Sequence, residues 1–174
     1  MTTDGHATSP PATALGPMQM KIDGLDFIAS RSFDAPRELV FRAWSDCTHL
    51  VHWWGPAGWT LPVCQMDFRP DGTWLYCMRS PEGETSCGTA TYHEIVEPER
   101  IVYTDAFTDA DGVQIADTPE MAITVTFAES EGRTLVTSIA HFASAKDLEF
   151  VVGTGMEEGL TETWDRLEAY LSAN

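Results

Sequence analysis

The order of the predicted elements constrains the fold of this chain more than any other feature of its sequence. One strand-like run is followed by two short helices, a long series of strand-like segments and a single apolar-striped helix at the C-terminus. A sheet with apolar side chains on one face must cover that face, and the last helix is the only predicted element long enough to do so. We therefore predict an α+β fold in which seven strands form an antiparallel sheet packed against the C-terminal helix.

The first strand and the two short helices come early in the chain. An alternating run over 25–33 predicts the strand, and Pro36 suits the first turn of a helix that reaches about Trp44. Ser45 or Asp46 can cap a second short helix. Six further strands are predicted near 60–68, 72–79, 86–97, 100–108, 120–128 and 133–142. Their short connections indicate antiparallel neighbours.

The C-terminal helix is predicted from Ser144 to about Ser172. Its apolar residues recur at offsets of three and four: Leu148, Val152, Met156, Leu160, Trp164, Leu167 and Leu171. Ser144 and Thr154 each begin a capping-box pattern. We therefore predict a break in this helix near Gly153 and Gly155, with the main helix starting at Thr154.

Length and composition indicate one folded domain. At 174 residues with 43% hydrophobic content the chain suits a single core, which we place at 21–174. Residues 1–20 are rich in Thr, Ala, Pro and Gly, so we predict a disordered tail there. No run approaches the roughly 20 apolar residues of a membrane helix, and no signal-peptide pattern opens the chain. We expect a cytoplasmic protein without a membrane partner.

The charge balance is strongly acidic. The chain has 27 acidic and 10 basic residues, a formal net charge of -17. Such a surface repels phosphate backbones, and no basic stripe offsets the repulsion, so nucleic acid is excluded as an expected partner. A homodimer is a reasonable expectation, because symmetric pairing is common among soluble proteins.

The four cysteines are Cys47, Cys64, Cys77 and Cys87. They form no Cys-x-x-Cys pair and have no histidine at a zinc-binding spacing. Most lie in apolar strand-like runs, so we predict buried free thiols and, from them, a reducing compartment. Phosphate-binding glycine loops and metalloprotease motifs are also missing from the sequence, so we expect neither a metal nor a cofactor.

The inner face of the sheet is predicted from parity, because side chains alternate across a strand. The more apolar and aromatic parity comprises Cys64, Met66, Phe68, Trp74, Tyr76, Met78, Ala90, Tyr92, Tyr103, Asp105, Phe107, Ile123, Val125, Phe127, Leu135, Thr137, Ile139 and His141. Broad rings with a few polar groups are typical of a pocket for a mostly apolar small molecule. An ordinary packed core is the alternative interpretation.

If a pocket is present, its predicted ligand-binding residues come from the sheet, the second short helix and the C-terminal helix. They are Trp54, Trp74, Tyr76, Met78, Tyr92, Tyr103, Asp105, Phe107, Ile123, His141, Met156, Leu160 and Trp164. Asp105 and His141 share the predicted inner face, where a carboxylate and an imidazole could form a general acid–base pair. A satisfied polar pair, or a position at a strand end in water, is the alternative for these two residues.

Several motifs carry a family resemblance. They are FDAPRELVFRAW at 33–44 with HWWGP at 52–56, FRPDGTW at 68–74, EIVEPERIV at 94–102, and GMEEG at 155–159 with DRL at 165–167. In this order they resemble the small bacterial proteins related to the activator of the Hsp90 ATPase, within the START/Bet v 1-like superfamily. The resemblance implies a helix-grip fold, in which a curved sheet wraps around the C-terminal helix and leaves a cavity between them.

The same resemblance leaves the activity open, because this superfold hosts carriers, cyclases, hydrolases and chaperone partners. It supplies no shared catalytic residues. Leu160 departs from the family, which commonly has Trp or Tyr after the glycine, and this change would enlarge or reshape the cavity.

Three functions follow as hypotheses. The first is binding of a hydrophobic or aromatic small molecule between the sheet and the C-terminal helix. The second is a chaperone-associated interaction module, which the family resemblance suggests. The third is a cyclase-like or hydrolase-like enzyme that uses Asp105 and His141.

Overall fold

A computed structural model describes residues 18–174 of the chain. The strands are β1 Gln19–Asp23, β2 Asp26–Phe33, β3 Thr60–Met66, β4 Thr73–Arg79, β5 Thr85–Val96, β6 Arg100–Thr108, β7 Glu120–Ser130 and β8 Arg133–His141. The helices are α1 Arg37–Ser45, α2 Cys47–Leu50, α3 Ala145–Val152 and α4 Met156–Ser172. No helix within residues 18–174 is both long and apolar enough to cross a membrane.

The strands form one eight-stranded sheet in the order β1-β2-β8-β7-β6-β5-β4-β3. Every neighbouring pair is antiparallel, and β2 lies beside β8, so the two ends of the domain meet in the sheet. The α4 helix packs on the inner face, where the Trp164 ring lies 5.9 Å from Phe33 and 6.3 Å from Trp44. The predicted α+β helix-grip fold is therefore confirmed.

The sheet has one strand more than predicted. β1 begins at Gln19, inside the range predicted as a tail, while residues 1–17 lie outside the described part of the chain. Met20 and Ile22 alternate with polar residues, but the run has only 5 residues and only Met20 is even half-buried, so the sequence signal for a strand is weak. β1 forms because its backbone pairs with the edge of β2.

An inward-facing cation ties α4 to this end of the sheet. Arg31 of β2 is buried, and its Nη1 donates to Asp165 Oδ1 of α4 at 2.6 Å. Its Nη2 donates to Glu168 one turn later. The guanidinium carbon also lies 5.5 Å from the centre of the Phe33 ring. Two charge-assisted hydrogen bonds thus hold the helix over the sheet.

The segment after α2 is held to α4 as well. Asp46 caps α2 as predicted, since its carboxylate accepts from the backbone N–H of Thr48 at 2.9 Å. Arg166 of α4 holds the turn that follows α2. Its Nη1 donates to the carbonyls of Gly55 at 2.9 Å and Pro56 at 3.2 Å. This turn is thereby positioned against the middle of α4.

The predicted break in the C-terminal helix is confirmed. Ser144 caps α3, accepting from the backbone N–H of Asp147 at 3.1 Å. Thr154 does not cap α4, because its hydroxyl donates back to the carbonyl of Val151 at 2.6 Å. Gly155, with a φ of 90° that suits glycine, is the N-cap residue instead.

The cysteine prediction was wrong, because all four residues form disulfides. Cys47 of α2 is bonded to Cys64 of β3, and Cys77 of β4 to Cys87 of β5. The last two stand directly opposite each other in the strand register, with Cα atoms 4.1 Å apart. No free thiol remains among the described residues, so the cysteines no longer indicate a reducing compartment. A cytoplasmic location stays a prediction.

The inner face was predicted correctly for β4, β6 and β7 but not for β8. Val136 and Ala140 are buried, whereas the other parity faces outward: Leu135, Thr137, Ile139 and His141. The error arose because β8 is apolar on both faces. Outward-facing Ile139 pairs in register with Ile28 of β2, which makes an apolar pair on the outer surface.

Candidate functional site

A cavity of about 470 Å³ lies between the inner face of the sheet and α4. The turn that follows α2 forms one wall, through Trp54, Gly55, Pro56 and Trp59. The lining is mainly apolar and aromatic, as expected of a small-molecule pocket.

Most of the predicted site residues line this cavity. They are Trp54, Tyr76, Met78, Tyr103, Asp105, Phe107, Ile123, Met156, Leu160 and Trp164. They come from the turn after α2, from the strands β4, β6 and β7, and from α4. That these residues bind a ligand stays a prediction.

Three predicted site residues do not line the cavity. Trp74 is buried behind Trp54, with ring centroids 4.7 Å apart, and Tyr92 packs against Phe68 at 5.1 Å. His141 lies on the opposite face of the sheet, 59% exposed at its side chain, with Nδ1 2.6 Å from Asp26 Oδ1. The predicted Asp105–His141 pair is therefore wrong, since Asp105 faces inward and the two groups are on different sides of the sheet.

The sequence prediction also missed part of the lining. Ser138 and Ala140 were missed because the wrong face of β8 was chosen. Met121 lies on the same parity as Ile123 and could have been found by extending that strand pattern. Gly159 lines the cavity on α4, and only the packing of the helix reveals that.

The cavity reaches solvent near the α3–α4 junction. Thr154 and Gly155 line it and are exposed, and Trp59 from the facing turn is partly exposed. Phe107 and Phe150 of α3 are in edge-to-face contact beside this opening, with ring centroids 6.4 Å apart. The break between the two helices therefore forms part of the entrance.

The inner wall of the cavity carries one buried carboxylate. The Tyr76 hydroxyl donates to Asp105, with distances of 2.9 Å to Oδ2 and 3.1 Å to Oδ1. Tyr76 belongs to β4 and Asp105 to β6, so the phenol must cross the intervening strand β5. Tyr103 lies two residues before Asp105 and therefore shares its face.

Gly88 makes this crossing possible. It stands opposite Tyr76 in the β4–β5 register. A Cβ atom at this position would lie 2.4 Å from the Tyr76 hydroxyl oxygen. Any larger residue would displace the ring, so the hydrogen bond to Asp105 depends on glycine here.

Burial sets the protonation of this group. It raises the pKa of Asp105 to about 7, while the hydrogen bonds from Tyr76 and from the backbone N–H of Ala106 act in the opposite direction. Burial and the nearby Asp105 charge raise the pKa of Tyr76 and of Tyr103 well above the usual value. Both phenols are therefore protonated at neutral pH, where Asp105 is poised between its two forms.

The lining limits the chemistry that the site can support. Asp105 is its single carboxylate, and it contains no Lys, Arg or His. No group of three potential metal ligands occurs within residues 18–174. The arrangement can enclose an apolar body and offer hydrogen bonds from one wall.

Comparison with known proteins identifies the family. The family model described as activator of Hsp90 ATPase homolog 1-like protein matches residues 34–172. Protein Ms6760 from Mycobacterium smegmatis has a similar crystal structure, with TM-score 0.83 and 29% identity over 91% of this chain and 98% of that one.

Two further solved structures show the same relationship. A protein from Arthrobacter aurescens, solved by NMR, has TM-score 0.82 and 29% identity over 90% of this chain and 92% of that one. The AHSA1 protein from Silicibacter pomeroyi has TM-score 0.67 and 25% identity, covering 85% and 98%. No curated protein matches the chain. Because the family model spans most of the domain, this chain belongs to the family of activator of Hsp90 ATPase homolog 1-like proteins.

Proposed function

We propose that this protein binds a hydrophobic or aromatic small molecule in the cavity between the sheet and α4. The observation that carries the proposal is a cavity of about 470 Å³ whose wall is mainly aromatic and aliphatic. This volume lies within the range of roughly 300–1,000 Å³ that small-molecule pockets occupy. Burial of apolar ligand surface against such a wall supplies the binding free energy.

The rings around the cavity pack against other rings, and side chains that are already positioned by packing lose less entropy when a ligand binds. Trp54 packs edge-to-face on Tyr76, with ring centroids 5.6 Å apart. Trp164 contacts both Phe33 and Trp44 on its other side. A ligand would meet a preformed surface rather than one that must be ordered first.

A dye titration tests the proposal. Nile red, a neutral apolar dye, should bind saturably with increased emission. Leu160→Trp should abolish or strongly weaken this binding, because Leu160 lines the cavity and a larger ring there would occupy it. Leu135→Trp is the matched control, since Leu135 lies exposed on the outer face of the sheet. Equal dye affinity in the two variants, or no saturable binding to the parent protein, would contradict the proposal.

Alanine variants at Trp164 and Tyr76 should also weaken binding, because both side chains line the cavity.

The enzyme hypothesis that paired Asp105 with His141 is dropped, since the two residues lie on different faces of the sheet. A chaperone-associated role stays a prediction supported by the family relationship.

A further inference from the structure

We propose that the cavity selects an apolar amine, whose ammonium group lies against Asp105 while its hydrocarbon body fills the remaining space. This inference rests on the proposed function and names the class of ligand. It depends on three features of the inner wall: an uncompensated carboxylate, the rings around it, and a free phenol beside it.

The carboxylate has no cationic partner. Asp105 is buried, and the side-chain hydrogen bond that it accepts comes from the neutral phenol of Tyr76. The lining contains no Lys, Arg or His. Arg166 is not part of the lining, and its guanidinium already donates to the carbonyls of His52, Gly55 and Pro56. A buried carboxylate without a counter-charge is costly, and a ligand cation beside it reduces that cost.

Aromatic rings surround the same position. Tyr103 and Phe107 flank Asp105 on β6, each two residues away and on the same face. The Tyr76 ring reaches the carboxylate from across β5. The faces of such rings attract ammonium groups, and the attraction grows when water is excluded.

The Tyr103 hydroxyl supplies a second polar contact. Tyr103 lines the cavity and is buried, and within residues 18–174 its hydroxyl has no hydrogen-bond partner. A phenol oxygen can accept a hydrogen bond, and an ammonium group has up to three N–H donors. Asp105 and Tyr103 together would therefore satisfy two of them.

Anionic ligands are disfavoured by the same arrangement. A ligand carboxylate would have no cation in the lining and would face Asp105 directly. The formal net charge of -17 adds a field that attracts cations and repels anions on approach. Fatty acids and similar anions are therefore poor candidates, although they are apolar enough for the cavity.

Three ligands that differ only at the head group test this inference: phenylbutylamine, phenylbutanol and phenylbutyrate, titrated by isothermal calorimetry at neutral pH. The amine should bind about tenfold or more tightly than the alcohol, as a charge-assisted hydrogen bond provides. The acid should bind more weakly than the alcohol. Asp105→Asn should remove most of the advantage of the amine, which is measured as the ratio of the amine and alcohol affinities in the same variant.

The ligand series on the parent protein tests the idea even if a variant misfolds. If the alcohol or the acid binds as tightly as the amine, the ligand class is wrong. If none of the three binds while Nile red does, the amine inference fails and the proposed function stands. If Nile red also fails to bind, both fall. Tyr103→Phe provides a further check, because it should weaken the amine more than the alcohol.

Discussion

The buried carboxylate predicts an unusual dependence of stability on pH. The pKa of Asp105 rises from 3.8 to about 7 on folding, chiefly because the group is buried. Between these values the folded state keeps a proton that the unfolded state has lost. Stability from this group is therefore fully present below the unfolded pKa and falls as pH rises through the folded pKa.

The size of the effect follows from linkage. Each unit of pKa difference corresponds to about 1.4 kcal/mol, so a rise from 3.8 to about 7 corresponds to a total loss of about 4 kcal/mol. About half of this, roughly 2 kcal/mol, falls between about pH 5.5 and about pH 8. Tyr76 and Tyr103 do not contribute in this range, because burial raises their pKa values further from it.

Asp105→Asn isolates this contribution. The amide cannot lose a proton in this range, and its oxygen can still accept the hydrogen bond from Tyr76. Urea unfolding can be monitored by circular dichroism without reductant. Between about pH 5.5 and about pH 8 the free energy of unfolding should fall by about 2 kcal/mol more in the parent protein than in the variant. Asp111→Asn, in an exposed loop, should behave like the parent protein.

Two outcomes would refute the reasoning about Asp105. If Asp105→Asn and the parent protein lose the same free energy of unfolding over this range, the carboxylate is not desolvated in the folded state. If the parent protein instead gains stability relative to the variant as pH rises, Asp105 has a cationic partner, which the lining of the cavity does not contain.

Three further predictions concern other contacts. In thermal unfolding, Gly88→Ala should lower the stability of the protein by about 1–3 kcal/mol, because the added Cβ would displace the phenol that crosses β5. Gly159→Ala should instead raise stability by up to about 1 kcal/mol, because the nearest neighbour of its added Cβ would be 3.6 Å away and alanine favours the helix. Replacing Cys47 and Cys64 together by Ser should lower the free energy of unfolding by about 3 kcal/mol, because their disulfide links residues that are 17 positions apart in the sequence. A denaturation midpoint that is the same in the variant and the parent protein without reductant would argue against that bond. Arg31→Met should lower the free energy of unfolding by about 1–3 kcal/mol, because it removes two hydrogen bonds to Asp165 and Glu168 of α4. If this difference disappears in high salt, the ion pairs of Arg31 are effectively solvent-exposed.

Sequence periodicity was sufficient where one face of an element is clearly more apolar than the other. The strands around Tyr76, Tyr103 and Ile123 alternate strongly, so their inner faces were predicted correctly. The capping signals at Asp46 and Ser144 are local, because a side chain bonds to a backbone group within three residues. Such features are decided within a few residues and can be read directly from the chain.

The tertiary structure decided what depends on residues that are distant in sequence. The β8 strand is apolar on both sides, so only its place between β2 and β7 determines that Ala140 faces the cavity and His141 faces solvent. The disulfides and the Tyr76–Asp105 bond over Gly88 require a particular strand order and register. Local pattern determines what each element can bury, but only the packing of all elements together determines which groups meet, because contacts across strands carry no local sequence signal.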